Sequence, residues 1–378
     1  MARFIIPRDI YYGRGSLAQL RLLEGNRAML IGGEMTNGSG FLRRAESYLQ
    51  EAGLAVRTFV CVQGEPTSSQ AQAGAKALQE FKPDWIVALG GEGSVSAAKA
   101  MWVLYEDPAL TLRGLMQWKT PSLRQLARLV VAPAGGGGEG ALGGAAYLLD
   151  PAQGKRYMLL DPVLTPDIAI IDPDLAAISP PLLLARGGIA ALSQALEALI
   201  RGALALAQPL ALRAASLILC HLPAAVNGEA YAGEALHEAQ CMAGLAFANA
   251  PTGLGQILSS NTCIAFHTTM PTGIAEAIFL PQVLGWEPGA KEAAAQVCAA
   301  SGITGEPLQA LYNRITSMRD RLGLPATFRA FGIEEAEFLN KLPALSQRIA
   351  QDPALPRTAR RPSPKEAEGI LRKAYYGS

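Results

Sequence analysis

The chain has few of the groups that bind metal ions, carry charge or form aromatic surfaces. Its 378 residues include only 3 histidines and 5 cysteines, and charged and aromatic side chains make up 17% and 6% of it. A net charge of +1 gives no field that would attract nucleic acid, so we expect no nucleic-acid partner. The hydrophobic content of 50% supports two domains with ordinary cores, and a small molecule is the partner that we expect.

Charged side chains are missing altogether between Glu238 and Glu276. The stretch nevertheless contains prolines and polar groups such as Asn249 and Asn261, which hydrocarbon would penalise. We therefore predict that it does not span a membrane.

The cysteines are scattered singly, without a C-x-x-C pair, and no secretory leader precedes Phe4. This pattern is typical of a reducing compartment, so we expect a cytoplasmic protein. Each thiol is interpreted as a small buried apolar group and not as a metal ligand. The five are Cys61, Cys220, Cys241, Cys263 and Cys298.

Short strand-like runs alternate with helical patterns in the first half of the chain. This alternation predicts a parallel, doubly wound, Rossmann-like α/β domain over residues 1–175. We predict strands at Arg27–Ile31, Val56–Val62, Trp85–Leu89 and Ala169–Asp172, helices at Gly40–Ala52 and Ser68–Phe81, and a strand, a glycine-rich loop and a return strand within Leu129–Leu149.

Apolar residues recur at helical spacing from the proline pair Pro180 and Pro181 onward. This spacing predicts an all-α domain over residues 176–378. We predict helix breaks at Pro209, Pro223, Pro251, Pro281 and Pro325.

The predicted strand Trp85–Leu89 leads into a glycine turn, Gly90-Gly91-Glu92-Gly93-Ser94. Glycines between a strand and a helix leave backbone N–H groups unpaired, and the helix dipole favours an anion beside them. The turn is therefore a candidate pyrophosphate site. A tight connection that binds nothing is the alternative.

This turn resembles the G-G-G-S-x-x-D-x-A-K segment of the iron-containing alcohol dehydrogenases. The alignment of residues 90–99 needs no gap, but Glu92 replaces the third glycine and Ser96 replaces the aspartate. A carboxylate at position 92 either repels a diphosphate or turns to solvent and leaves the backbone site intact. Both alternatives remain open.

The resemblance covers nearly the whole chain. Residues 4–15, 64–67, 159–162, 171–173 and 179–181 are similar to further segments of that family in order and spacing. It implies an α/β dinucleotide-binding domain followed by an all-α domain, an architecture shared with dehydroquinate synthase. The cofactor contacts that it implies are Pro66, Gly90, Gly91, Glu92, Gly93, Ser94, Ala134, Gly135 and Lys155.

Two further positions bear on the cofactor. The family's second loop, P-T-T-A-G-T-G-S-E, corresponds here to residues 133–141, which keep backbone groups but lack the hydroxyls. Gly33 stands where family members that prefer NAD often carry Asp. Without that carboxylate, the resemblance implies a preference for NADP over NAD, unless Gly33 merely serves a turn.

The family's metal ligands are replaced throughout. The segment G-x-D-A-L-T-H-A-I-E corresponds to residues 188–197, with Ala190 for Asp and Gln194 for His. The segment N-A-x-x-G-x-x-H-x-x-x-H corresponds to residues 249–260, with Gln256 and Ser260 for the two His. Thr272 replaces the His of P-H-G. Neutral amides and hydroxyls bind ferrous iron or zinc poorly, so we expect no metal.

The remaining acid–base candidate is His267, which follows the altered ligand segment. His221 and His237 lie in helical stretches, where a structural role is the simpler interpretation.

Three functions are compatible with these observations. The first is a metal-independent NADP- or NAD-dependent oxidoreductase of a small alcohol or aldehyde, using hydrogen bonds from Gln194, Gln256, Ser260 and His267. The second is a catalytically silent member that serves as a binding or assembly subunit. The third, a dehydroquinate-synthase-like cyclase, needs a metal and basic residues that the sequence does not reveal. In each case we expect a homodimer or larger homo-oligomer.

Overall fold

The computed structural model describes residues 3–61, 66–111, 114, 123–135, 141–152, 155–266, 270–355 and 360–377. The chain divides into two compact units, the first covering Ile5–Pro180 and the second beginning at Pro181 and including Phe4. The sequence analysis placed this boundary between residues 175 and 176.

Asp172 explains why the first unit extends past residue 175. Its carboxylate accepts hydrogen bonds from the backbone N–H groups of Gly15 at 3.1 Å and Leu17 at 3.0 Å. Leu175, three residues later, is buried in the core of the first unit. The segment is therefore tied to the α/β unit by both hydrogen bonds and apolar contacts.

The first unit is built on six strands in the order β1-β8-β5-β4-β2-β3, and every neighbouring pair is parallel. All six residues of β4 are buried, as expected for a central strand of a parallel sheet covered on both faces. The strands are β1 Asp9–Tyr12, β2 Arg27–Gly33, β3 Ala55–Cys61, β4 Trp85–Gly90, β5 Arg128–Pro133 and β8 Ile168–Ile171.

Capping residues set the ends of the best-predicted helix of this unit. The predicted helix Ser68–Phe81 has the observed bounds, because Thr67 caps its first turn through a hydrogen bond from Gln70 N–H and Lys82 ends it with a left-handed φ of 52°. The helices are α1 Glu34–Gly38, α2 Phe41–Glu51, α3 Ser68–Phe81, α4 Glu92–Glu106 and α5 Pro173–Ala176, with 3₁₀ turns at Ser16–Leu22 and Pro162–Leu164.

The predicted return strand forms as β6, Ala145–Asp150, but its partner is not β5. It pairs antiparallel with β7, Lys155–Leu160, in a separate two-stranded sheet. The first residues of β6 are held by α4, since Lys99 Nζ donates to the carbonyls of Gly143 at 2.5 Å and Ala145 at 3.2 Å.

Among the described residues of the second unit, all regular secondary structure is helical. One apolar cluster, which includes Leu192, Ile218 and Phe279, runs through its helices. The helices are α6 Pro181–Ile200, α7 Gln208–Val226, α8 Ala230–Phe247, α9 Leu254–Ala265, α10 Thr272–Trp286, α11 Ala290–Ser301, α12 Pro307–Arg321, α13 Phe328–Phe331, α14 Glu335–Ala350 and α15 Pro364–Tyr376.

The predicted breaks at Pro223 and Pro281 are wrong, because both prolines lie inside helices, α7 and α10. A proline in a helix leaves the carbonyl four residues earlier without its N–H partner. For Pro223 that carbonyl belongs to Leu219, and Arg314 of α12 donates to it at 2.7 Å. The other three prolines lie in the first turn of a helix or between helices: Pro209, Pro251 and Pro325.

Within the described residues, α6 and α7 are long and apolar enough to cross a membrane by length and composition alone. A core helix of a soluble protein passes the same test, and the apolar windows of α6 and α7 are 61% and 44% buried inside the protein. Both helices contribute residues to the apolar cluster of the second unit. That the protein has no membrane partner stays a prediction.

Candidate functional site

The glycine turn joins β4 to α4 at the carboxyl end of the sheet. Gly90 has a φ of +148°, which favours glycine, and its carbonyl accepts a hydrogen bond from Ala134 N–H at 2.9 Å. Gly91 is the N-cap of α4 and offers no side-chain cap. The N-terminus of α4 therefore lies in this turn, and its N-cap residue supplies no side chain to accept from the first N–H groups of the helix.

Glu92 is the first residue of α4. Negative charge in the first turn of a helix is stabilised by the helix dipole, by roughly 0.3–1 kcal/mol at an exposed site. The carboxylate therefore has a structural reason to be there, quite apart from any ligand.

The turn lies at the point where the strand order reverses. From β2 the chain passes to β3 on one side, and then returns to form β4 on the other side of β2. Ligands of doubly wound sheets bind at the carboxyl ends of the strands at such a point. Gly33 ends β2 and Gly90 ends β4, so both glycines stand at this edge.

The other implied cofactor contacts fall into two groups. Ala134 and Gly135 follow β5 beside the turn, where a side chain on Gly91 would lie 3.6 Å from the Ala134 carbonyl. Residues 136–140 of the second loop lie outside the described residues. Pro66 and Lys155 instead adjoin β6, since the Pro66 carbonyl accepts from Leu149 N–H at 2.9 Å and the backbone of Lys155, in β7, stands opposite Asp150 in the strand register.

Lys99 is a buried group to which the sequence analysis gave no role. Its side chain is 0% exposed on α4, and its ammonium donates to two carbonyls at the start of β6. A lysine in the otherwise uncharged run 93–105 was the available signal. Its hydrogen bonds fix the position of α4, which carries the glycine turn.

The replaced ligand positions are brought together in the helical unit. Ala190 and Gln194 are one turn apart on α6, Gln256 lies in the first turn of α9, and Thr272 is the first residue of α10. Helices α9 and α10 each approach α6 closely, on the face of α6 that carries Ala190 and Gln194.

At one end, a Cβ on Gly273 would lie 2.7 Å from the Arg186 carbonyl, so α10 begins against α6. At the other end, a Cβ on Gly253 would lie 2.8 Å from Cδ of Glu197, and one on Gly255 would lie 3.1 Å from it, with a carboxylate oxygen closer still. Positions 186, 190, 194 and 197 share one face of α6. The framework of the ligand site is thus retained.

The donor set on this framework does not fit a transition metal. Gln256 Nε2 donates to Ser260 Oγ at 3.1 Å, and Gln194 Oε1 is buried with no hydrogen-bond partner among the residues that the structure describes. Ala190 supplies no donor atom. Among the described residues, no group of three His, Cys, Asp or Glu side chains could hold a metal ion. Neutral amide and hydroxyl oxygens are poor ligands for iron or zinc.

The histidine candidates are only partly placed. His267 lies outside the described residues, so its predicted role stays a prediction. The ring of His221, on α7, meets the ring of Tyr231, on α8, edge-on with 5.6 Å between centroids, and His237 is 2% exposed inside α8.

The thiols follow the expectation of burial with one exception. Burial raises the pKa of Cys241 to about 12 and that of Cys61 to about 11. Cys220 is exposed, contrary to the prediction, because its position on α7 faces solvent.

The chain thus consists of a doubly wound parallel α/β unit followed by an all-α unit. The chain matches the family model described as iron-containing alcohol dehydrogenase over residues 7–173, and the C-terminal model of the same family over residues 184–375. It belongs to the iron-containing alcohol dehydrogenase family, and it is an oxidoreductase of that type.

Individual relatives agree with this assignment. The chain is 35% identical to an NADPH-dependent butanol dehydrogenase of Clostridium saccharobutylicum, over 100% of this chain and 99% of that one. It is 30% identical to the bifunctional aldehyde-alcohol dehydrogenase AdhE of Escherichia coli, over 98% of this chain but only 46% of that longer protein. The structure of an iron-containing alcohol dehydrogenase from Thermococcus thioreducens superimposes with a TM-score of 0.89, 27% identity and complete coverage of both chains.

The comparisons confirm the predicted family, fold and oxidoreductase class. They give no support to the alternative of a silent subunit. Membership in an iron-containing family also gives no support to the expectation that this chain binds no metal, which rests on the donor chemistry of its own residues.

Proposed function

We propose that this protein is an NADP(H)-dependent oxidoreductase of small alcohols or aldehydes that works without a metal ion at the family's ligand positions. The observation that carries the proposal is the donor set: Ala190, Gln194, Gln256 and Thr272 stand on a retained three-helix framework. These four positions do not carry the family's metal ligands, whereas the glycine turn at the carboxyl edge of the sheet is present.

The α/β unit supports binding of the dinucleotide. Its strand order reverses between β2 and β4, and the glycine turn after β4 offers backbone N–H groups to a diphosphate. Gly33 places no carboxylate beside a ribose 2′-phosphate, which favours NADP. That the relative from Clostridium saccharobutylicum is named NADPH-dependent agrees with this preference.

The helical unit supports stabilisation of the substrate oxygen by hydrogen bonds. In carbonyl reduction, hydride passes from the reduced nicotinamide to the carbonyl carbon, the carbonyl π bond breaks towards oxygen, and a proton then joins that oxygen. Amide donors that are already in place can stabilise the negative charge on the oxygen, and removal of one such donor costs about 2.7–4 kcal/mol in comparable sites. Gln194 and Gln256 are the groups we assign to this role, with His267 as the proton donor.

Two measurements on the intact protein test the proposal. Fluorescence titration with NADPH and NADH is expected to show saturable binding, tighter for NADPH. Metal analysis after dialysis against Fe²⁺ or Zn²⁺ is expected to find far less than one ion per chain, and chelator treatment should leave aldehyde reduction unchanged. Stoichiometric metal that is lost together with activity would overturn the metal-independent part.

A matched pair of variants tests the amide role. Gln256→Leu should lower kcat for aldehyde reduction by about 10²–10³-fold with cofactor binding unchanged. Gln208→Leu removes an amide at the first residue of α7 that donates to the Ala203 carbonyl, and should leave kcat unchanged. Equal effects of the two changes would argue against a role for Gln256 in catalysis.

A further inference from the structure

We propose that Ser94 is a specificity-determining residue, because its hydroxyl occupies the space that a side chain at position 33 would need. The inference rests on the proposed dinucleotide function and gives Ser94, already an implied cofactor contact, a second role there. The preference for the cofactor then depends on a pair of positions, Gly33 and Ser94, one on each side of the strand-order reversal.

The backbone at Gly33 does not itself require glycine. Its φ of −98° and ψ of 171° are extended values that any residue adopts. Its N–H donates to the hydroxyl of Thr36 at 3.2 Å and its carbonyl accepts from the same hydroxyl at 2.9 Å, so the Thr36 side chain of α1 holds the conformation. An L side chain could therefore be placed there without backbone strain.

A single atom stands in the way of that side chain. A Cβ on Gly33 would lie 2.8 Å from Ser94 Oγ, and apart from its chain neighbours no other described atom comes within 4 Å of it. Real Cβ atoms essentially never show contacts below 3.0 Å, so the Ser94 hydroxyl would have to move to admit one. Position 33 is therefore open except for the Ser94 hydroxyl.

The same hydroxyl also lies against a second glycine, Gly90. A Cβ on Gly90 would lie 2.7 Å from the same hydroxyl oxygen and 3.0 Å from Ser94 Cβ. Ser94 is 9% exposed. Its side chain thus lies between the carboxyl ends of β2 and β4.

The consequence concerns how this chain distinguishes NADP from NAD. A carboxylate at the end of the second strand would bond the ribose hydroxyls of NAD and repel a 2′-phosphate. With Ser94 present, an aspartate at position 33 cannot take that place without displacing the hydroxyl. Introducing Asp alone should therefore fail to change the preference, whereas removing the hydroxyl first should allow it.

Thermal unfolding of four proteins tests the steric part: wild type, Gly33→Ala, Ser94→Ala and the double variant. Gly33→Ala should lower Tm by about 2–4 °C, and the same change in the Ser94→Ala background should leave Tm within error of Ser94→Ala alone. Gly32→Ala is the control: its Cβ would lie 2.9 Å from Leu42 Cδ1, so it should lower Tm equally in both backgrounds. A Gly33→Ala effect that is absent, or equal in both backgrounds, overturns the coupling.

Titrations with NADPH and NADH test the specificity part in wild type, Gly33→Asp and Gly33→Asp/Ser94→Ala. The ratio of the two Kd values should move towards NADH by about tenfold or more in the double variant only. A shift as large in Gly33→Asp alone overturns the role of Ser94. Failure of the wild type to bind either cofactor instead refutes the proposed function, and the Tm comparison, which needs no cofactor, still decides the steric claim.

Discussion

Replacing Gly255 with alanine tests the contact between α6 and α9, because helix propensity and packing predict changes in stability of opposite sign. Gly255 lies in the first turn of α9 with a negative φ. In an unconstrained helix, glycine to alanine stabilises by about 0.5–1 kcal/mol. Propensity alone therefore predicts a more stable protein.

The structure predicts the opposite sign. A Cβ on Gly255 would lie 3.1 Å from Glu197 Cδ and 3.2 Å from Val283 Cγ2, and far too close to the carboxylate oxygen Oε1. Glu197 is 2% exposed, so its carboxylate cannot swing into solvent. Overpacking of this kind costs about 1–3 kcal/mol, which exceeds the propensity gain. The net effect should be destabilising by about 1–2 kcal/mol, or about 2–8 °C in Tm.

Gly369→Ala supplies the matched control. Gly369 lies within α15, and a Cβ there would meet nothing within 4 Å. That variant should raise stability by about 0.5–1 kcal/mol. Calorimetry and guanidinium unfolding of both variants measure the difference. If Gly255→Ala stabilises as much as Gly369→Ala, the packing of Glu197 against α9 is refuted.

Three further predictions follow from contacts described above. Arg314→Ala should lower the free energy of unfolding by about 1–3 kcal/mol, because the Leu219 carbonyl opposite Pro223 loses its donor, and Arg314→Lys should recover part of that loss; equal unfolding midpoints for all three proteins would contradict this. Lys99→Met should lower Tm and weaken NADPH binding, since the carbonyls of Gly143 and Ala145 lose their donor and α4 carries the glycine turn; unchanged values of both would sink the argument. The raised pKa values of Cys61 and Cys241 contribute stability that is fully present below pH 9, the usual thiol value, and is lost as pH rises through about 11 and then about 12; only Cys220 should react rapidly with a thiol reagent at pH 8 in the folded protein, so rapid labelling of a second thiol would contradict the burial.

Local chemistry made the α/β unit predictable. The helix Ser68–Phe81 was found with the observed bounds because its cap, Thr67 with Gln70, is encoded within four residues. The strand Trp85–Gly90 was recognisable from its unbroken apolar run before glycines. Such signals act over a few residues and survive in any tertiary setting.

Features that depend on distant residues were not predictable. The continuation of α7 through Pro223 needs Arg314, which lies far along the chain. The partner of β6 depends on pairing with β7 and on the hydrogen bonds from Lys99. The proximity of Ser94 to Gly33 likewise follows only from the side-by-side arrangement of β2 and β4.

The replaced ligand positions show an intermediate case. The sequence motifs gave their register, but only the approaches of Gly273 to Arg186 and of Gly253 to Glu197 show that α6, α9 and α10 still meet around them. The arrangement of donors such as the pair Gln256 and Ser260 required the structure.

The packing of Glu197 between Gly253 and Gly255 has an evolutionary consequence. Because these contacts involve none of the positions 190, 194, 256 or 272, substitutions at those positions could remove a metal site without unfolding the protein. For the same reason, a variant with Asp at position 190 and His at positions 194, 256 and 272 should still fold. Its affinity for Fe²⁺ would measure how well the three helices can still place a set of metal ligands.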